Sequence, residues 1–297
     1  MLNRDKDSPL VSVIIPTFKR LKKLEACINS IIENTYSNFE IIVVNDNPKE
    51  DLTKPLMKYH IKLIQNNMRT FPANCRNIGA TFAHGDLLFF VDDDNTMRKD
   101  TIYLLVKTYL SSKNIGLLGP KMLDGNNNIW FLGTKVNWNS LFLKPVDMNR
   151  TQDEFIETDV IPNAYMISKS LYFLIGMEDE TLKIFNEDLD LAMRVKNHGF
   201  KNYIYTRAIT IHDYGAINQH LNAERLHINF RNYLIVWRRY SDKPKFLIFS
   251  LGYFLYAFYY FAYKIPIELK GNGMLTNYKY FLTGIGSGLF NSSRFRR

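Results

Sequence analysis

An α/β fold on a doubly wound, mostly parallel sheet is what this sequence predicts, and three observations predict it. Short apolar runs alternate with segments of helical periodicity from residue 11 onward. Polar clusters fall just after those runs, at the carboxyl ends of strands, where ligands sit in such sheets. The composition, 46% hydrophobic against 23% charged, supplies the apolar side chains that a large core needs.

The elements follow in order. VSVIIP (11–16) reads as a buried strand. LKKLEACINSIIENT (21–35) reads as a helix with Leu21, Leu24, Ile28, Ile31 and Ile32 on one face, and FEIIVVND (39–46) as a second strand. IKLIQ (61–65), a helix over 73–82, DLLFFV (86–91), a helix over 100–110 and the strand GLLGPKM (116–122) complete a five-stranded core. After Lys121 the regularity breaks into a DGNNN turn, hairpin-like strands around 130–136 and a polar stretch through residue 157, which together read as a mixed second half. NEDLDLAMRVKNHGF (186–200) predicts a helix with Asn186 as N-cap, an acidic first turn and Gly199 as its stop. Two short strands, NYIYT (202–206) and AITIHDY (208–214), precede a basic amphipathic helix over 217–240, an aromatic run and a last helical piece ending in SSRFRR.

The net charge of +9 is unevenly placed. Residues 201–297 carry 14 Lys/Arg against 4 Asp/Glu, leaving 24 against 25 for residues 1–200. Within the basic third lies FLIFSLGYFLYAFYYFAY (246–263), uncharged and flanked by Arg238, Arg239, Lys243 and Lys245 before and by Lys264 and Lys270 after. A spanning helix wants about 20 apolar residues, and basic residues on both sides give no positive-inside asymmetry. The run reads as a segment lying in the cytoplasmic leaflet, drawn by anionic lipid; a true span, a buried core helix and an oligomer interface are the alternatives. Charge-driven nucleic-acid binding is not expected, because the basic excess sits beside an apolar segment rather than on a module of its own. The polar opening MLNRDKDSPL is no secretory signal, which leaves the N-terminus expected in the cytosol. Cys27 and Cys75 are isolated, so they read as small buried apolar residues rather than a disulfide or zinc site.

The strongest chemical signal is Asp92, Asp93 and Asp94, directly after an apolar strand. Adjacent like charges repel, and a hard divalent cation, Mg²⁺ or Mn²⁺, is the natural occupant. In an extended chain Asp92 and Asp94 point one way and leave Asp93 free for a hydroxyl; a solvated acidic turn is the alternative. Pro16, Thr17, Phe18, Lys19 and Arg20 end the first strand and Asn45 and Asp46 the second, a grouping that suits a nucleoside or ordinary turn chemistry. Neither GxGxxG nor GxxxxGK[ST] occurs, so phosphate handling falls to metal and Arg/Lys. In the acidic cluster of Glu187, Asp188 and Asp190, Asp190 and Arg194 are four apart and suit a helix-surface pair, whereas Asp188 lies on another face and can act as a general base. His212, at a strand end, is either a satisfied core histidine or a third metal ligand.

Taken together, VSVIIPTFKR, EIIVVNDN, NCRNIGATFAHGDLLFFVDDD, LGPKML and FNEDLDLAMRVKNHG, in this order over residues 9–240, resemble the family 2 glycosyltransferases with a GT-A fold. The tail RNYLIVWRRY with its aromatic segment is similar to the rhamnosyl- and galactofuranosyl-transferase branch. The resemblance implies a GT-A domain over 1–240, comprising a nucleotide-sugar half (9–121), an acceptor half (122–216) and the basic helix 217–240, with a membrane-associating segment over 241–297. It implies donor contacts from Pro16, Thr17, Phe18, Arg20, Asp46, Arg76, Asn77 and Asp93. It also implies a Mn²⁺ or Mg²⁺ site at Asp92, Asp94 and His212, and Asp188 as base. Asn45, where many members have Asp, and VIPNAYMIS, where a GAxM segment is usual, depart from the pattern. The implied reaction is an inverting single displacement from a nucleotide sugar to a glycan or polyprenyl-linked saccharide, at the cytoplasmic face of the membrane, by a chain that can be oligomeric. A sugar nucleotidyltransferase, whose glycine-rich lysine loop is missing here, and an inactive membrane-bound scaffold are the competing readings.

Overall fold

The structure, a computed structural model, describes residues 8–213, 223–259, 262–263 and 274–290. Strand β1 (Val11–Thr17), helix α1 (Leu21–Ile32), strand β2 (Phe39–Asn45), the single turn α2 (Thr53–Leu56), strand β3 (Lys62–Gln65), helix α3 (Phe71–Phe82) and strand β4 (Leu87–Val91) follow the predicted alternation. The four strands lie parallel in the order β3-β2-β1-β4. Every residue of β1 and β4 is buried, and a fully buried Val, Ile or Phe contributes about 1.5–3 kcal/mol. That is why runs as apolar as VSVII and LLFFV take the middle of the sheet. Helix α3 lies close against β1: a methyl added at Gly79 would come 2.4 Å from the Ile14 side chain. Glycine there lets the helix carry Arg76 up to the strand ends.

The second half is mixed. It runs through β5 (Asn95–Met97), α4 (Thr101–Leu110), β6 (Ile115–Leu123), β7 (Ile129–Phe131), β8 (Thr134–Asn137), β9 (Phe142–Pro145), β10 (Phe155–Thr158), β11 (Ala164–Ser168), α5 (Lys169–Leu174), α6 (Glu187–Asn197) and β12 (Lys201–His212). Strand β11 inserts antiparallel between β4 and β6, β12 runs parallel to β6, and β10 forms the edge.

Several local expectations are corrected. Segments 202–206 and 208–212 form one strand, because the β12–β6 ladder shifts register between Tyr205 and Ile209 and then resumes; an irregularity of this kind bends a strand without ending it. Region 130–136 is not one hairpin: β7 folds back on β6, and β8 pairs with β9 in a separate two-stranded sheet. Asn186 does precede α6, but at φ 63° and with no side-chain capping bond. Helix α1 stops at Ile32, short of the predicted residue 35.

Among the described residues three further helices follow, α7 (Ala223–Tyr240), α8 (Lys243–Tyr259) and α9 (Met274–Phe290). Residues 214–222, with the start of the predicted 217–240 helix, and the tail 291–297 lie outside the described residues. Leu226, Phe230, Leu234 and Trp237 recur at helical spacing along α7. They meet Phe249 and Tyr253 of α8, Phe281 of α9, and Leu189 and Met193 of α6 in a second apolar core. One face of the aromatic run is therefore core. Its other face presents Leu247, Ile248, Leu251, Leu255 and Phe258, each at least 68% exposed. Among the described residues no helix is long and apolar enough to cross a membrane.

Candidate active site

A cavity of about 540 Å³ opens beyond the carboxyl ends of the parallel strands, within the range of small-molecule sites. Pro16 and Thr17 reach it from β1, Phe18 and Arg20 from the turn after β1, Asp46 from just beyond β2, Arg76 from α3, Asp92 and Asp94 from the turn after β4, His212 from β12 and Asp188 from α6. With Asn229 also on its lining, residues separated by up to 213 positions thus share one cleft. Asn77 and Asp93 do not line it; both are buried behind its wall.

Each carboxylate of the acidic triplet has an arginine partner within the protein. Arg20 pairs with Asp93 at 2.7 Å and with Asp94, and Arg76 pairs with Asp92 at 2.7 Å. Two arginines thus meet part of the charge that the sequence places at this strand end. Asp93 is not free for a hydroxyl. It is fully buried, accepts from Thr17 Oγ1 at 2.6 Å, and is pushed up to about 7 by desolvation. Asp94, by contrast, is held below the usual carboxylate range, since a hydrogen bond from His212 and the charge of Arg20 outweigh its burial.

His212 reaches this cluster because β12 pairs antiparallel with β5, setting it opposite Asn95. Its Nε2 lies 3.4 Å from Asp94 Oδ1, and its ring meets Trp130 edge-on with centroids 4.4 Å apart. Two carboxylates and an imidazole are donor types that suit Mn²⁺ and are compatible with Mg²⁺, and all three line one cleft. Among the described residues no three His, Cys, Asp or Glu side chains converge into a ligand cluster, as Asp92 is turned toward Arg76.

Arg76 is the hub of the floor rather than a free arm. It is buried, with Nη2 on Asp92 and Nη1 3.3 Å from Glu178 and 3.4 Å from Glu187. Tyr165 donates to Glu178 from the other side. One cation cannot hold this many buried carboxylates ionised. Glu187, desolvated and beside Asp188, is pushed up to about 8. Asn77 fastens the same floor: its amide donates to the Glu178 carbonyl at 2.9 Å and to Glu180 Oε1 at 3.0 Å, and its oxygen accepts from Tyr172 at 2.6 Å. Asp46 accepts from the backbone N–H of Thr70 (2.6 Å) and Phe71 (2.8 Å) and from Asn66 Nδ2 (3.1 Å). It thereby serves the N-terminus of α3, where Thr70 makes no side-chain cap of its own.

Across the cleft, Asp188 sits in the first turn of α6 and accepts from the Leu189 N–H at 2.8 Å. Burial, with the negative charge of Asp92, raises it above the ordinary carboxylate value despite that bond and Arg76, which strengthens it as a proton acceptor. Asp190 is held by Arg194 (2.9 Å), the partner expected of it, and also by Arg239 (2.8 Å) and Tyr240 (2.9 Å), but the pair is buried rather than on the helix surface. Sequence reasoning missed Glu178 and Arg225. Glu178 sits in a loop with no periodicity to mark it as buried, and Arg225, stacked 4.8 Å over the Phe185 ring, enters the cavity from α7. Nothing local in either stretch signals the site; only the contact does.

Residues 12–172 match the family described as glycosyl transferase family 2. The chain is 25% identical over 215 residues to a dTDP-rhamnosyl transferase of Shigella flexneri, covering 70% of each. It is 25% identical over 141 residues to an Escherichia coli UDP-Glc:alpha-D-GlcNAc-diphosphoundecaprenol beta-1,3-glucosyltransferase, covering 46% of this chain and 56% of that one. The chain spans between 37% and 70% of the lengths of these and another curated relative it matches. The crystal structure of GalNAc-T7 with UDP, GalNAc and Mn²⁺ superposes with a TM-score of 0.66 at 17% identity, over 96% of this chain and 57% of that one, a likeness of the GT-A fold.

Proposed function

The chain belongs to glycosyltransferase family 2, as the match over more than half its length shows, and on that premise we propose that it moves a sugar from a nucleoside-diphosphate sugar to a hydroxyl of a lipid-linked glycan, with inversion at the anomeric carbon. The observation that carries this reading is the facing of Asp188 and the Asp92–Asp94 turn across one cavity. Asp188, its basicity raised by burial, accepts the proton of the acceptor hydroxyl as that oxygen attacks. Of its acidic neighbours on that wall, Glu187 is tied to Arg76 and Asp190 to Arg239, so a single displacement by one base is the simplest course. Arg225 brings a guanidinium to the cleft where a diphosphate departs, beside Arg20, whose charge Asp93 and Asp94 share. Asp92, Asp94 and His212 would hold Mn²⁺ or Mg²⁺, which when bound neutralises charge on the leaving nucleoside diphosphate.

The activities named for the Shigella and Escherichia relatives support a nucleotide-sugar donor and, for the second, an acceptor on a polyprenyl diphosphate. The exposed apolar ridge of α8, with Lys243 and Lys245 at its start, supports seating in the cytoplasmic leaflet beside such an acceptor. Removing the chain after Tyr240 is a poor test of seating, since it would strip the second core from α6. Leu251→Glu with Leu255→Glu keeps that core. The pair should abolish flotation with anionic vesicles, and unchanged flotation would remove the membrane from the reading.

The transfer itself is tested with a panel of nucleotide sugars, with and without EDTA. We expect one donor to be consumed with release of its nucleoside diphosphate, and the chelator to suppress the turnover. Release of pyrophosphate, or no turnover with any donor, would refute the proposal.

A further inference from the structure

Resting on the reading above only for the role of Asp188, we infer that Asn232 is a positioning residue for the site: its buried amide holds the 182–185 loop in the backbone conformation from which α6 aims Asp188 into the cavity. The loop between α5 and α6 is conformationally expensive. Lys183, Phe185 and Asn186 all lie in the left-handed region, at φ 65°, 69° and 63°, which L side chains disfavour and which persists only where surroundings over-determine it. Neither Lys183 nor Phe185 is a glycine or an asparagine, so local sequence does not account for their path.

Asn232 does. Fully buried in the middle of α7, it brings Nδ2 to 2.6 Å from the Leu182 carbonyl, 2.9 Å from that of Ile184 and 2.7 Å from that of Phe185. Its Oδ1 accepts from Arg231 Nε at 3.0 Å and Nη2 at 2.8 Å, and the same Nη2 donates to the Thr181 carbonyl. Carbonyl oxygens can face only the NH₂ of the amide and a guanidinium only its oxygen, so the orientation is unambiguous. Ile184, Phe185 and Asn186 line the cavity, and α6 begins at the next residue. Seven residues along α7, on the same face, Arg239 bridges Asp179 (2.6 Å) and Asp190 (2.8 Å). One helix therefore ties the loop on both sides of the segment that precedes Asp188.

The experiment is hydrogen exchange by mass spectrometry on the full chain, with Asn232→Asp and Asn232→Ser beside the wild type. Aspartate keeps the volume and the acceptor for Arg231 but removes both donors; serine keeps one donor. We expect amides in 181–190 to exchange at least about tenfold faster in the aspartate variant and by less in the serine variant, with β1, β2 and β4 unchanged. With the nucleotide sugar that the panel identifies, kcat should fall at least about tenfold while the donor KM stays within about twofold, the split expected when a group is misplaced rather than a ligand lost. Unchanged exchange in 181–190 overturns the inference. So does a uniform rise across the chain or an equal loss of kcat and donor affinity, which mark a role in folding alone. If the wild type turns over no nucleotide sugar, the functional reading fails and the exchange result still decides the brace.

Discussion

On one side of the cleft, the functional side chains hang from the ends of β1, β2 and β4, strands buried along their whole inner length and continuous with the main core. On the other side, Asp188 starts a helix that follows a left-handed loop and is packed against α7, α8 and α9 in a separate core. The first wall is stiff because strand pairing and burial leave its backbone no alternative. The second holds its shape through a few buried polar ties to a helix more than forty residues away in sequence. The two walls meet at Arg76, which reaches from α3 to Asp92 on one side and to Glu178 and Glu187 on the other. The difference teaches that charge placement on the first wall is a property of the fold, whereas aim on the second is a property of particular hydrogen bonds.

The largest effect that sharpens this contrast is expected at Asp188. Asp188→Asn should lower kcat by about 10²–10⁴-fold while donor affinity, measured by calorimetry, stays within about twofold. A kcat within tenfold of wild type would place the base elsewhere. Next comes the joint between the walls: Arg76→Met leaves buried carboxylates without their cation and should cost about 3–5 kcal/mol in urea unfolding. A cost under about 1 kcal/mol would mean that the walls do not depend on it.

A pH series separates the walls further. Glu187 titrates at about 8 in the folded chain, above its ordinary 4.5, so the folded state binds this proton more tightly. Its contribution to stability is full below about pH 4.5 and is lost as pH rises through 8. Unfolding free energy should therefore fall across that window by something of order 1 kcal/mol per pH unit, and Glu187→Gln should flatten the fall; an unaltered slope would assign it to other groups. The smallest effect is at the far tie of the second wall. Tyr240→Phe removes the hydroxyl 2.9 Å from Asp190 Oδ1 and should cost about 1.5 kcal/mol, with no change in donor affinity.

The first wall was largely legible in the sequence. Runs such as VSVIIPT and LLFFVDDD announce both a buried strand and the polar turn that ends it, so Arg20, Asp46, Asp92 and Asp94 could be placed at strand ends before any contact was known. What was not legible is what these groups do to one another. Asp93 is buried against Thr17, and Asn77 faces Glu178 rather than the cleft. The triplet's carboxylates pair with arginines 16 and 74 residues away along the chain. The second wall was legible only as an acidic helix start; Asn186 looked like a cap, and the left-handed path that leads into it has no glycine to betray it.

By itself the sequence determined the α/β alternation, the parallel order of elements that hydrophobic periodicity encodes, and the residue types at each strand end, because these depend on side chains within a few positions of one another. Tertiary structure alone decided that β11 enters antiparallel, that 202–212 is a single strand, that Arg76 joins the two walls and that Asn232 braces the loop before Asp188. Those outcomes turn on pairings between residues scores of positions apart, whose energies exist only after the chain has closed.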